Sequence, residues 1–192
     1  MFTVYRTVKA NYIHEPLATE GARLLGGQWN PKGYPLLYTT SSPALALVES
    51  LVHKPRVKYD KLPTLYLFTL EVADDSLTTW SPDDLPAYWN EESYERSQWI
   101  LQDWLTEPTT LVAAVPSVVV PMSYNYLLHP AHSAFGRIRV VHQEPFPIER
   151  RLWHQDNAKV GYNRSRKPTI DVGQRHFWAE NDNWIYSPMS TG

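Results

Sequence analysis

The stretch Gly21–His53, GARLLGGQWNPKGYPLLYTTSSPALALVESLVH, contains a change of period that decides the fold. Its first part, Gly21 to Gly33, has no sustained period and holds four of the chain's eight glycines, so it reads as a long loop. Pro35 to Thr40 (PLLYTT) then reads as a short apolar strand. Ser41, Ser42 and Pro43 follow as a hydroxyl N-cap ahead of proline at the first helical position. The helix that starts there carries Leu45, Val48 and Val52, with Ala44, Leu47 and Leu51 alongside, as a broad buried stripe, and it stops at the Lys54-Pro55 break. Glu49 falls at the edge of that stripe.

The flanking sequence extends the same alternation of strands and helices. Phe2–Val8 reads as a first strand, and Thr64–Val72 (TLYLFTLEV) as a strand buried on both faces. Residues 74–90 read as loop, and Glu92–Leu105 as a second helix because Trp99, Ile100 and Trp104 recur at near-helical spacing. Leu111–Val120 and Arg137–His142 complete the strands, with Pro116 requiring an edge position or a bulge. Sixteen prolines argue against an all-helical bundle. The fold expected is therefore α+β, a mixed sheet core with flanking helices, spanning residues 1–153. From His154 to Gly192 the sequence turns polar and aperiodic, an extension that either wraps the domain through Phe177, Trp178, Trp184 and Tyr186 or forms a tail.

Composition removes several functions. The absence of cysteine excludes disulfides, thiolate zinc sites and cysteine nucleophiles together. A net charge of −2 and a pI near 6.4 oppose direct binding to nucleic acid, which needs a concentrated positive field. No apolar run approaches the roughly 18 residues of a membrane span, and no secretory pattern opens the chain, so a cytoplasmic setting is expected. No G-x-S-x-G, G-x-x-x-x-G-K-[ST] or H-E-x-x-H motif is present. His129, His132 and His142 invite a metal reading, but Pro130 breaks a shared helical face and no carboxylate lies near in sequence. Loop hydrogen bonding suits these histidines better, and no metal is expected.

What remains is one constellation. Gly26-Gly27 followed by Trp29-Asn30 lets backbone approach a ligand while an aromatic ring and an amide face it. Tyr38 ends the next strand, Glu49 stands on an otherwise apolar helix side, and Ser117 ends an apolar strand. A lone glutamate at a helix edge is ordinarily solvated; together these residues can instead face a cleft.

These blocks, with Asp103–Leu105 (DWL), Pro116–Pro121 (PSVVVP) and the NYLLHPAH run from Asn125, closely resemble the RES domain family over Val4 to Leu152. That family comprises toxins of bacterial toxin–antitoxin pairs that consume NAD on a core similar to ADP-ribosyltransferases. The resemblance implies that Glu49 and Ser117 are the Glu and Ser of the family name, that Tyr38 is a site tyrosine, and that Arg6 is an arginine of the first strand. The arginine of the family's G-G-R-W-N block falls on Gln28. Asn125 matches the later block, and His129 stands where a second asparagine is usual. NAD is the implied substrate, bound by Arg6, Gln28, Trp29, Asn30, Tyr38 and Asn125. A helix-turn-helix antitoxin covering the site is the implied partner, with a homo-oligomer formed through that complex.

Cleavage of the nicotinamide–ribose bond passes through an oxocarbenium-like state, which a carboxylate such as Glu49 stabilises. Tyr38 would pack on nicotinamide and Ser117 would hydrogen-bond the nicotinamide or ribose. Arginine at position 28 would grip diphosphate through a charged fork, whereas Gln28 carries no charge. Arg6 or Arg23 would substitute in part if it reaches the cleft. Two classes stay open: an enzyme that cleaves NAD by hydrolysis, phosphorolysis or ADP-ribosyl transfer, and a catalytically inactive RES-like fold that binds a nucleotide or a protein. Water, phosphate and a protein acceptor leave no distinct motif.

Overall fold

The computed structural model describes residues 1–52, 58–73, 77–91, 94–120 and 122–153, together with 169–171, 176–180 and 183–187. It divides into two compact units, Met1–Gln155 and Asp156–Gly192.

The first unit is built on a seven-stranded sheet. Its strands are β1 (Phe2–Lys9), β2 (Leu37–Thr40), β3 (Leu65–Val72), β4 (Leu77–Thr79), β5 (Val112–Pro116), β6 (Tyr124–Leu128) and β7 (Arg139–Pro145). They lie in the order β4-β5-β6-β2-β1-β3-β7, all pairs antiparallel except β4 with β5. The helices are short: α1 (Glu20–Leu25), α2 (Pro43–Val52), α3 (Tyr94–Ser97) and α4 (Gln102–Thr106). This is the expected α+β mixed sheet.

Strand alternation gives the sheet two apolar faces. Leu37, Val112 and Leu128 join Val4, Val8, Phe68, Leu70 and Val72 in one core. Their sequence neighbours Leu36, Ala113, Val115 and Leu127 point the other way and pack with Trp29, Trp104, Leu101 and Leu105. A sheet covered on both sides tolerates few polar positions on its central strands, so those that occur there are informative.

Several expectations change. Gly21–Gly33 is not all loop, because Glu20–Leu25 forms one helical segment before the glycine pair. Residues 92–105 hold two short helices with a turn between, and the Trp99 and Trp104 spacing arises across that break. Thr78 and its neighbours, read as loop, add β4 beside β5. β6 was not anticipated at all, although it is the strand that joins β5 to β2. β5 stops at Pro116 instead of running on to Val120. Pro116 lies inside the sheet by order, but β4 reaches only to Ala114, so the missing N–H of the proline faces no ladder.

α2 begins as expected, with Ser42 Oγ accepting the N–H of Leu45 at 3.2 Å. Its stripe is narrower than the sequence suggests: Leu45 and Ala46 are buried, whereas Ala44 and Val52 are exposed. The expected stop at Lys54-Pro55 lies outside the described residues. β3 is buried along one face and, on the other, only at Leu65 and Leu67.

In the second unit, β8 (Thr169–Asp171), β9 (His176–Glu180) and β10 (Asn183–Ser187) pair antiparallel as a three-stranded sheet. Sequence reading gave this polar region no strands.

Candidate active site

The two central strands β1 and β2 pair only at Tyr5 and Thr40. Where they part, a cavity of about 680 Å³ opens, of a size that takes a small organic ligand. Consecutive residues of both strands line it, Tyr5 to Thr7 and Tyr38 to Thr40, as expected of a wedge between diverging strands. The other walls are the glycine loop (Gly26, Gly27, Gln28), the inner side of α2 (Ala46, Glu49, Ser50), Asn125 of β6, and Tyr94 and Gln98.

Glu49 is the acid of this cavity. Its Oε1 accepts the Ser117 hydroxyl at 2.8 Å and the Asn125 amide at 2.7 Å. Its Oε2 has no hydrogen-bond partner among the described residues. One carboxylate oxygen is thus clamped and the other left for a ligand. The clamp has a cause in the sequence. β5 ends at Pro116 and β6 starts at Tyr124, and this turn carries Ser117 and Asn125 to the side of the sheet that α2 covers.

Ser117 is turned to the protein and not into the cavity. It is buried, its oxygen accepts the N–H groups of Val119 and Val120, and its proton goes to Glu49, so the hydroxyl is saturated. The expected bond to nicotinamide or ribose has no atom left to make it.

Tyr38 lines the cavity with its hydroxyl turned inward. That hydroxyl donates to Asn30 Oδ1 at 2.6 Å and accepts the N–H of Trp29 at 3.2 Å, and burial raises its pKa. Asn30 was expected to face a ligand, but it is fully buried. Its Nδ2 donates to the carbonyls of Ala22 and Tyr34 at 3.0 and 2.8 Å, making it the hub of the loop. Trp29 is also a core residue, stacked on Trp89 with centroids 6.2 Å apart, and only touches the cavity wall. Gly27 allows the loop to lie this close, since a Cβ there would sit 2.6 Å from the Tyr38 hydroxyl oxygen. Gly26, with φ of 72°, makes the preceding turn.

Among the described residues lining the cavity, Arg6 is the cation. Its guanidinium donates to the carbonyls of Tyr38 at 3.3 Å and Ala18 at 2.9 Å, while its Nε is buried without a partner. Removal from water brings its pKa down to about 10. A buried guanidinium that meets carbonyls and no carboxylate among the described residues can take up negative charge from a ligand. Arg23 does not share the task, because it pairs with Glu20 on the surface.

Gln28 lines the cavity, its Nε2 donating to the Trp89 carbonyl at 3.1 Å. Two more bonds tie the loop to the same wall, Ser97 Oγ to the Gln28 carbonyl at 3.1 Å and Gln98 Nε2 to the Gly27 carbonyl at 3.0 Å. Trp89, Tyr94, Ser97 and Gln98 were missed from sequence. Their stretch shows polar residues among tryptophans and no motif that would single them out.

The histidines stand apart. His129 donates from Nε2 to Leu105 O and accepts at Nδ1 from Ala131 N–H, edge-on to Trp104. His132 accepts from Ala134 N–H, and His142 lies 3.8 Å from Glu144 at the surface. Among the described residues no three His, Asp or Glu side chains converge to hold a metal, and no helix is long and apolar enough to cross a membrane.

The RES domain family matches residues 3–149, which covers nearly all of the seven-stranded unit and every described wall of the cavity. The chain belongs to the RES domain family. This RES domain is 34% identical over 133 residues to Toxin Res of Yersinia enterocolitica, covering 69% of this chain and 86% of that protein. It is 36% identical over 126 residues to the Prs ADP-ribosylating toxin of Sphingobium sp., covering 63% and 76%. Among solved structures, a chain of the M. tuberculosis MbcT–MbcA toxin–antitoxin complex superposes with a TM-score of 0.60 at 18% identity, covering 75% of this chain and 83% of that one. That likeness shows a shared fold.

Proposed function

We propose that this RES domain is the toxin of a toxin–antitoxin pair and that it cleaves the nicotinamide–ribose bond of NAD. The observation that carries the reading is the half-clamped Glu49, one carboxylate oxygen fixed by Ser117 and Asn125 and the other unshared among the described residues, on the wall of a cavity that Arg6 also lines. As the glycosidic bond lengthens, positive charge grows on the ribose, and a fixed carboxylate stabilises it without reorganising. Arg6 would meet the diphosphate. The Tyr38 ring, held by Trp29 and Asn30, would pack on the leaving base. Glu49 holds a ribose hydroxyl through Oε2 in this scheme, which orients the sugar toward an incoming acceptor. The acceptor is water, phosphate or a protein side chain.

A helix-turn-helix antitoxin seated over the cavity mouth is the partner in this reading; the toxin–antitoxin neighbour of like fold supports an antitoxin partner as such. Such a complex forms through Leu24, Leu25 and Tyr94, exposed apolar side chains of which Leu25 and Tyr94 also line the cavity.

The test is NAD consumption by the purified chain beside its Glu49→Gln and Gln28→Arg variants. Loss of NAD with the native chain or the arginine variant, absent in Glu49→Gln, is the expected result. A chain that binds NAD and consumes none in either form would instead be a nucleotide-binding module.

A further inference from the structure

We infer that the hydroxyl pair Thr7–Ser50 fixes the rotation of α2 about its own axis and thereby aims Glu49, which makes Thr7 a positioning residue for the acid. The inference rests on the NAD-cleaving reading for its effect on rate and adds a residue of β1 to that site.

α2 is held from two sides. In the sheet, β2 lies between β6 and β1. Glu49 reaches toward the β6 side, where Ser117 and Asn125 bond its Oε1 at 2.8 and 2.7 Å. Ser50, the next residue, reaches toward the β1 side, where its Oγ lies 2.5 Å from Thr7 Oγ1. Consecutive helical residues point about 100° apart, so the two ties act on different sides of the helix. Either one alone would let the helix pivot about it; the two together set its rotation.

The direction of the second tie follows from its partners. Ser50 Oγ donates to the Ala46 carbonyl one turn earlier at 2.8 Å, a bond that turns the hydroxyl back along the helix and fixes its rotamer. Its single proton is used there, so the proton shared with Thr7 comes from Thr7. Strand alternation aims that threonine. Val4 and Val8 of β1 enter one core, and Thr7, beside Val8, therefore stands on the opposite face of the strand. At this level β1 has already left β2, because those strands pair only at Tyr5 and Thr40. The hydroxyl pair thus connects β1 directly to α2 beside the gap that opens into the cavity, one residue from the acid.

The lever is long enough to matter. A group about 6 Å from a helix axis moves by about 1 Å when the helix turns by about 10°. A carboxylate displaced that far from a reacting centre loses much of its effect on rate, whereas the binding of the rest of a ligand is little altered.

The experiment uses Thr7→Val, which keeps the branched shape and removes only the hydroxyl, together with Ser50→Ala, the double variant and Thr7→Ser, all in the full chain. Thr7→Val and Ser50→Ala should each lower kcat for NAD at least about fivefold with KM little changed. The double variant should fall no further than either single one, and Thr7→Ser should regain most of the rate, since both singles remove the same bond. A raised KM with unchanged kcat in Thr7→Val, or losses that simply multiply in the double variant, would place these hydroxyls on the substrate and overturn the inference. So would a kcat that neither variant lowers. Ser50→Ala carries the test by itself if Thr7→Val does not fold. If the native chain consumes no NAD, the proposed function fails while the positioning is still decided by NMR of the asparagine side-chain amides. The Asn125 amide proton that donates to Glu49, identified by its displacement in Glu49→Gln, should move upfield in Thr7→Val as that charge-assisted bond lengthens, and stay in place in Thr7→Ser. An unmoved resonance in Thr7→Val overturns the inference.

Discussion

Ser117 gives its hydroxyl proton to Glu49 Oε1 at 2.8 Å while its oxygen takes the backbone N–H groups of Val119 and Val120. The serine therefore links the turn after β5 to the acid on α2, and in the proposed reaction its contribution passes through Glu49. A residue of this kind positions the carboxylate and touches no reacting atom.

Ser117→Ala is expected to lower kcat for NAD about tenfold with KM little changed, because one of two bonds that aim the carboxylate is lost. Two turn N–H groups lose their acceptor as well, at a cost of about 1 kcal/mol in stability. Ser117→Thr retains the hydroxyl and should recover most of the rate. Steady-state kinetics and urea denaturation of both variants check this; a raised KM with unchanged kcat in Ser117→Ala would place the hydroxyl on the substrate instead.

The loop gives a second expectation. A methyl group at position 27 would meet the Tyr38 hydroxyl oxygen at 2.6 Å and its ring carbon at 3.0 Å. Gly27→Ala should destabilise the fold by about 1–3 kcal/mol, as overpacking does. Adding Tyr38→Phe removes the nearer contact, so the double variant should be less destabilised than the sum of the singles, a coupling readable from denaturant midpoints. Strict additivity would show that the loop moves away freely.

How far the sequence alone reached depends on the kind of information each residue needed. α2 was legible because Ser42 and Pro43 are local signals, and Glu49 was legible because a carboxylate on an apolar side breaks a pattern. β6 was not, although Tyr124, Tyr126 and Leu127 suit a strand, because the following His129-Pro130 is itself a loop signal and the partner strands are remote in sequence. Residue type also does not give direction. Asn30 and Ser117 were read as facing a ligand, and both turn inward to the protein, Asn30 to carbonyls of its own loop and Ser117 to Glu49. The Trp89–Gln98 wall was invisible because its contacts with Gly27 and Gln28 span about seventy residues and leave no spacing to detect.

His129 supplies a pH dependence. It is buried as the neutral tautomer, donating from Nε2 and accepting at Nδ1, and burial holds its pKa below the usual value of 6.5. The unfolded chain therefore binds a proton more readily than the folded one. Its contribution to stability is complete above pH 6.5 and declines as pH falls below that toward the folded-state pKa. Urea midpoints measured from pH 8 down to pH 5 should fall, and the decline should be shallower in His129→Asn, which removes the titrating ring at some cost in packing against Trp104. Equal slopes in the two proteins would assign the acid sensitivity elsewhere.

Glu49 and Gln28 together separate transition-state from ground-state interactions. Glu49→Gln keeps an oxygen that can accept from Ser117 and Asn125, so the fold of the site is retained and only charge is removed. If the carboxylate stabilises an oxocarbenium-like state, turnover should fall by about 10³-fold or more, in both Gln28 and Gln28→Arg backgrounds, while NAD affinity changes little. Gln28→Arg should act in the opposite manner. A guanidinium on the diphosphate is present before and during bond cleavage, so it should tighten NAD binding and raise turnover only as far as it orients the ribose. Measured across the four combinations of these two positions, the effects should therefore separate, position 49 in kcat and position 28 chiefly in affinity. Full turnover by the Glu49→Gln, Gln28→Arg double variant would remove Glu49 from the chemistry. A Gln28→Arg variant that gains neither affinity nor rate would show that the added guanidinium follows Gln28 toward the Trp89 carbonyl and never reaches the diphosphate.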